Sequence, residues 1–398
     1  MTRSFVFLLV SFVLVPTVGA FQAEPLAEKF LHAGKFVDGE QACLLALDAT
    51  PADDEVRFGL GVIQFLRAIE DLGQSMYEYG AVSEKASQAF LRLPVPKNPK
   101  PSSISYTELG RVLDSFAADL RRAESTLAAI KDDDVKLRLR LAQISFDFAG
   151  TGEDQTKLLD LFVKLNRGQP FAFQKDNPDF RIHFDRGDVA WLRSYCHVLC
   201  AMVEAYRSID QEVGFAQRVE RVFPNVEPVP AVEKWWSGLK VVDAPRLRRA
   251  RIHLLSVCEL NRESWRHIRA EADDDFEWLS HPGQKDQLGL PLTDRRITEW
   301  LAMMQRWEGL LKGQTLLSGD LISLIFPKHD RNFGLNLKKV LDDPPADLLN
   351  YERIVDDGVD AKYLDLEKGR ETIGLQDMIN MSRVFSGPLG FAYAARLN

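Results

Sequence analysis

The chain has 398 residues, of which 27% are charged, a formal net charge of −8 and a pI near 5.5. An acidic surface argues against nucleic-acid binding and against adhesion to anionic lipid, since both ligands carry the same sign of charge. Four Cys in this length do not make a disulfide framework, and the length suffices for two or three domains or one long helical array.

Residues 1–20 read as a secretory signal peptide. Arg3 is the charged start, Phe5 to Val15 the apolar stretch, and Val18-Gly19-Ala20 a small-residue cleavage site. The apolar run is too short to span a bilayer. The processed chain is therefore expected to be secreted or periplasmic, without stable membrane insertion.

Residues 26–61 predict helical hairpins. Leu26, Ala27, Phe30 and Leu31 share one helical face, and Gly34 is placed to stop that helix in the left-handed conformation. A second helix turns Cys43, Ala46 and Leu47 inward, and Pro51 suits the first turn of a third. Ala27, Gly39 and Ala46 are small enough for backbones to approach closely. Leu26-Ala27, Phe30, Gly34, Phe36, Gly39, Ala46 and Pro51 together resemble one tetratricopeptide (TPR) repeat, with Cys43 where an aromatic is usual. Leu60-Gly61 begins a second unit, and the pattern then stops. The resemblance implies a TPR-like helical region over 21–92 and a binding surface for a protein or peptide.

Residues 54–79 continue as helix. Four prolines in 93–101 interrupt regular structure, so 93–104 is expected to be a linker or extended loop. Ser105 and Glu108 have capping-box spacing, and Leu109, Leu113, Phe116, Leu120, Leu127 and Ile130 form the stripe that follows. Residues 135–141 alternate apolar and basic, and Phe180, Ile182 and Phe184 alternate too, which predicts a small β pair (135–148 with 180–184). Asp188 is expected to cap a helix carrying Val189, Leu192, Cys196, Leu199, Val203 and Tyr206. Further helices are expected over 211–222, from Pro245 to about Ala270, and over 295–312. These complete a long-helix domain, 105–312. The remainder, 313–398, reads as an α+β region with short alternating pieces at SLIF, YERIV and AKYLDLE and a last helix near 375–385. Residues 184–199 are also similar to secreted bacterial proteins known only as TPR-containing, a resemblance that implies no activity.

No stretch carries a catalytic signature: Gly-x-Ser-x-Gly, His-Glu-x-x-His, a phosphate loop and a dinucleotide fingerprint are all missing. Asp147 to Thr151 starts like a calcium loop, but Ala149 and Thr151 take ligand positions and Leu158 stands where the closing Glu should be. Cys196 and Cys200 lie one turn apart with His197 turned about 100° away, which favours core packing over zinc. Cys43, Cys196, Cys200 and Cys258 are open to either the free or the bridged state. Arg186-Gly187-Asp188, Ser237 with Lys240, and Arg246, Arg248, Arg249 and Arg251 all have plain structural readings. The candidate binding residues are the acidic cluster Asp273, Asp275 and Glu277 with Trp235 and Trp236. No cofactor and no metal is expected. The preferred function is an exported protein- or peptide-binding scaffold. The alternatives are a glycoside hydrolase-like enzyme using the 273–277 loop, or a purely structural envelope protein.

Overall fold

The computed structural model describes residues 24–86, 91–153, 155–165, 179–227, 229–233, 239–274, 276–285, 292–326, 329–348 and 358–384. The fold is mainly α, with short strands set between and after long helices. No helix among the described residues is long and apolar enough to cross a membrane.

Three helices open the chain: α1 (Glu28–Ala33), α2 (Phe36–Ala49) and α3 (Asp54–Glu78). Gly34 ends α1 at φ 62° and ψ 31°, the left-handed cap that its missing Cβ permits. Gly39 and Ala27 do sit at close approaches between helices. A Cβ on Gly39 would lie 2.8 Å from Phe30 Cβ, and one on Gly59 would lie 2.8 Å from Ala27 Cβ. The Pro-rich segment follows α3 back in extended form: Ser102 N donates to Glu78 O and Asn98 Nδ2 to Tyr77 O, both at 2.9 Å.

Helix α4 (Tyr106–Ala128) starts in the expected capping box, with Ser105 and Glu108 each accepting from the other's backbone N–H. Every residue of its stripe is buried. Strand β1 (Leu137–Leu139) follows, then β2 (Ser145–Phe146), β3 (Thr156–Lys157), α5 (Leu158–Leu165) and β4 (Ile182–Phe184). β1 and β4 pair antiparallel with Arg138 opposite His183, so the two alternating segments do meet. Asp147 accepts the backbone N–H groups of Thr151 and Gly152, and thus serves its own turn.

Helix α6 (Arg186–Arg207) leads through β5 (Ile209–Asp210), α7 (Glu212–Ala216), α8 (Val219–Val222) and β6 (Lys240–Val241) to α9 (Ala244–Ile268) and α10 (Asp294–Lys312). The amphipathic segment at 211–222 is thus two short helices. The cap of α6 is Asp185 rather than Asp188. Asp185 accepts from the N–H groups of Gly187 and Asp188, and Asp188 returns the bond as the N3 partner. A D-x-x-D spacing fits the same reciprocal geometry as S-x-x-E, which is why Asp188 alone misled.

Helices α4, α6 and α9 form successive layers. One apolar core runs through them and the opening hairpin, from Ala27 to Leu311. Glu204 on α6 is buried and accepts from Arg246 and Arg249 of α9, each at 3.1 Å. Trp300 on α10 donates to buried Asn261 on α9 at 2.9 Å. All four cysteines are buried and unbridged, as small apolar core residues.

Between α6 and α9, His197 Nδ1 and His253 Nδ1 approach to 2.8 Å, with Glu124, itself paired to Arg193, 3.7 Å from His197. One ring must donate and the other accept, so a second proton is unwelcome. Burial and the His197 ring hold His253 down to about 4. A folded-state value below the unfolded one gives stability that is complete above about 6.5 and is lost as pH falls through about 4. The melting temperature should therefore fall between neutral and mildly acid pH, and His253→Gln should flatten that slope. An unchanged slope in the variant would remove this pair as the cause.

After α10 come β7 (Thr315–Leu317), α11 (Gly319–Ile325), β8 (Phe333–Leu335), α12 (Leu337–Asp342), β9 (Leu364–Leu366), β10 (Glu371–Ile373) and a last helix, Leu375–Val384. The strands form one sheet in the order β10-β7-β8-β9, parallel between β10 and β7 and antiparallel elsewhere. SLIF lies at the end of α11 rather than in a strand. Ser318 caps that helix by accepting from Leu321 N, and four residues are too few for alternation to outweigh a cap. YERIV lies outside the described residues.

Candidate functional site

Two of the five sequence-derived candidates, Asp273 and Glu277, lie among the described residues. Trp235, Trp236 and Asp275 lie outside the described residues, as does Ser237. Asp273 stays at the surface, where Lys136 Nζ donates to it at 2.5 Å. Glu277 turns inward and is 2% exposed.

Backbone geometry carries Glu277 inward. Phe276 sits at φ 74°, a left-handed conformation that a bulky residue rarely adopts. The chain then lies along the free edge of β4. His183 N donates to Phe276 O and Trp278 N to His183 O, both at 3.1 Å. One β4 edge thus holds β1 and the other holds residues 276–278, with Glu277 opposite His183.

Glu277 thereby meets the start of α6. One carboxylate oxygen each of Asp185, Asp188 and Glu277 lie within 4.8 Å of one another. Asp188 is also only 2% exposed. Its Oδ2 accepts from Asp185 N at 3.1 Å, whereas its Oδ1 is buried without a hydrogen-bond partner. Burial, then the neighbouring charges of Asp185 and Glu277, push the Asp188 carboxyl well above the usual carboxylate range. Glu271, just past α9, is pushed up to about 9 as well, first by burial and then by the neighbouring Asp185. Gln284 Nε2 donates to its Oε2 at 3.0 Å. Trp278 packs against Phe184 and Trp191, with ring centroids 5.7 and 5.6 Å apart. The result is a carboxyl cluster in which Asp188 and Glu277 are buried and Asp185 and Glu271 half-buried.

The other motifs are absorbed by structure. Arg186 of the Arg-Gly-Asp triplet donates to Ile130 O at 2.9 Å, and so points into the protein. Gly187 is required for packing, because a Cβ there would lie 2.7 Å from Ile268 Cγ1 on α9. Arg248 and Arg251 both reach Asp342, its carbonyl and its carboxylate respectively, each at 2.7 Å. The four arginines therefore tie α9 to Glu204, Asp114 and Asp342 and form no phosphate stripe.

A second place of interest is the outer side of the N-terminal hairpin. A groove of about 400 Å³ lies between α2 and α3 and reaches Thr126 of α4. Leu44, Leu47 and Leu60 give it an apolar floor, with Asp48 and Arg57 at the rim. Leu45 and Val37 continue the apolar surface along α2 at 63% and 58% exposure. A cavity of about 310 Å³ elsewhere is lined by mixed charges, including Glu55, Asp132, Lys136 and Arg138. Neither hollow is lined by the buried carboxyl centre.

No family model, no curated protein and no solved structure matches the chain.

The sequence singled out Glu277 and Asp188 separately and passed over Asp185 and Glu271. The D-x-x-D spacing was a usable signal for Asp185. Nothing in the local pattern signals Glu271, because its partner comes from another helix.

Proposed function

We propose that this chain is a protein-binding scaffold of the cell envelope, exported by its first twenty residues, that docks an amphipathic helix of another polypeptide in the α2–α3 groove. The supporting observation is the exposed apolar face of α2. Leu44 is 47% exposed and lines a hollow whose floor is leucine, and Val37 and Leu45 are further large, exposed apolar side chains of the same helix. An apolar hollow with exposed apolar residues on the same helix suits recognition. A groove along a helical hairpin suits an apolar helical stripe in the partner.

Charge selects the partner's flank. Asp48 stands exposed in the last turn of α2, where the helix dipole is already negative and no basic residue offsets it. A lysine or arginine beside the partner's apolar stripe would meet it, and the acidic balance of the chain favours the same sign.

Leu44→Asp tests the reading, since Leu44 lines the groove and at 47% exposure its loss leaves the core intact. Crosslinked capture from the extracytoplasmic fraction should recover a partner with the native chain. The variant should lose it at unchanged melting temperature, with affinity reduced on the order of tenfold or more, as for a central apolar anchor. No partner at all, or a partner held equally by both proteins, would count against the groove.

A further inference from the structure

We infer that Asp185, Asp188 and Glu277 form a binding site for one divalent cation of the calcium class, buried where the start of α6 meets the loop at 276–278. The three oxygens are close enough to share one ion. Calcium takes oxygen ligands at about 2.3–2.6 Å, so oxygens on opposite sides of it stand up to about 5 Å apart. The observed separations all fall within 4.8 Å. Magnesium demands near-ideal octahedral geometry and gives up its waters reluctantly, so a buried three-carboxylate set suits calcium better.

Asp188 supplies the second and separate observation. It is buried, its Oδ2 is spent on the helix cap, and its Oδ1 faces no donor. A buried acceptor left without a partner costs about 1–3 kcal/mol, and more when it is charged. A cation beside Oδ1 removes that cost. Among the described residues neither Asp185 nor Asp188 forms an ion pair with a side chain. The nearest arginine in sequence, Arg186, is turned to Ile130 O, Glu263 and Asp133.

Rigid backbone holds all three groups. Reciprocal capping bonds fix Asp185 and Asp188, and the two bonds to His183 fix the segment that carries Glu277. The donors are all carboxylate oxygens, which suits a hard cation rather than zinc or copper.

The test uses the full chain and the metals alone. After EDTA treatment, calcium should raise the melting temperature, and magnesium at equal concentration should raise it less. Terbium, a calcium mimic, should luminesce when tryptophan is excited, because Trp278 adjoins Glu277 and Trp191 adjoins Trp278. Calcium should compete that signal away. Glu277→Gln, which leaves the helix cap untouched, should weaken terbium binding by about tenfold or more, since affinity follows ligand charge. Asp273→Asn, at the surface, should leave it unchanged. Asp188→Asn serves as a second ligand variant if it folds. The inference is overturned if the native chain melts identically in EDTA and calcium without a terbium signal, the carboxyls then keeping protons instead. It is also overturned if Glu277→Gln binds like the native chain, or if magnesium stabilises as well as calcium.

Discussion

Glu28→Ala is expected to lower stability by about 3 kcal/mol, read as a reduced urea midpoint. Glu28 lies on α1 and is fully buried. Its Oε1 accepts from Arg140 N at 2.9 Å and from Arg140 Nε at 3.1 Å, and its Oε2 accepts from Arg140 Nη2 at 3.0 Å. Arg140 follows β1, so this one carboxylate pins the N-terminal hairpin to the small sheet. Removal leaves Arg140 N and Nε without their acceptor, while Nη2 keeps its bond to Glu24. The figure sits at the low end for a broken buried pair, about 3–5 kcal/mol, because the Arg140 side chain keeps 18% of its surface in water. Arg140→Ala in the same background should add little to the loss. Additive losses, or an unchanged midpoint, would show that the pair does not hold the hairpin.

Trp265→Ala is expected to cost more, about 4 kcal/mol, by loss of transfer energy and the cavity left behind. Trp265 is 1% exposed and is the largest of the fully buried side chains. It lies near the end of α9, one turn before Ile268, which packs on Gly187 at the start of α6. A hole there loosens the helix pair that carries Asp185 and Asp188. Urea unfolding followed by far-UV circular dichroism measures the loss, and Trp265→Phe should recover part of it by refilling the space. Equal stability of the alanine variant and the native chain would mean that the surrounding core collapses onto the gap.

The two variants act through different physics, and the sequence announced them unequally. Leu247, Leu254, Cys258, Trp265 and Ile268 follow helical spacing, so the burial of Trp265 was legible, although Leu254 of that stripe stays 37% exposed. Glu28 looked like an ordinary first-turn acid. Its burial follows from Arg140 arriving from a strand more than a hundred residues later, which no local pattern encodes. The buried carboxyl centre repeats the lesson. Glu277 sat within an acidic run that composition marks as solvated. The left-handed Phe276 and the free edge of β4 turned it inward. Asp273, four residues earlier, kept the expected surface role with Lys136.

The sequence by itself determined the elements whose physics is local. Gly34 stops α1, Ser105 and Glu108 start α4, and the stripe from Leu109 to Ile130 faces the core. The alternation in 135–141 and 180–184 marks two segments that pair, over 137–139 and 182–184. Spacing along one chain settles which face avoids water and where a backbone group needs a cap. Only the tertiary structure decided which charges are buried, which of two aspartates caps α6, and which carboxylates share one small space. Such outcomes depend on distance between remote segments. Electrostatic energy changes severalfold with a few ångströms and with the exclusion of water, and residue order records neither.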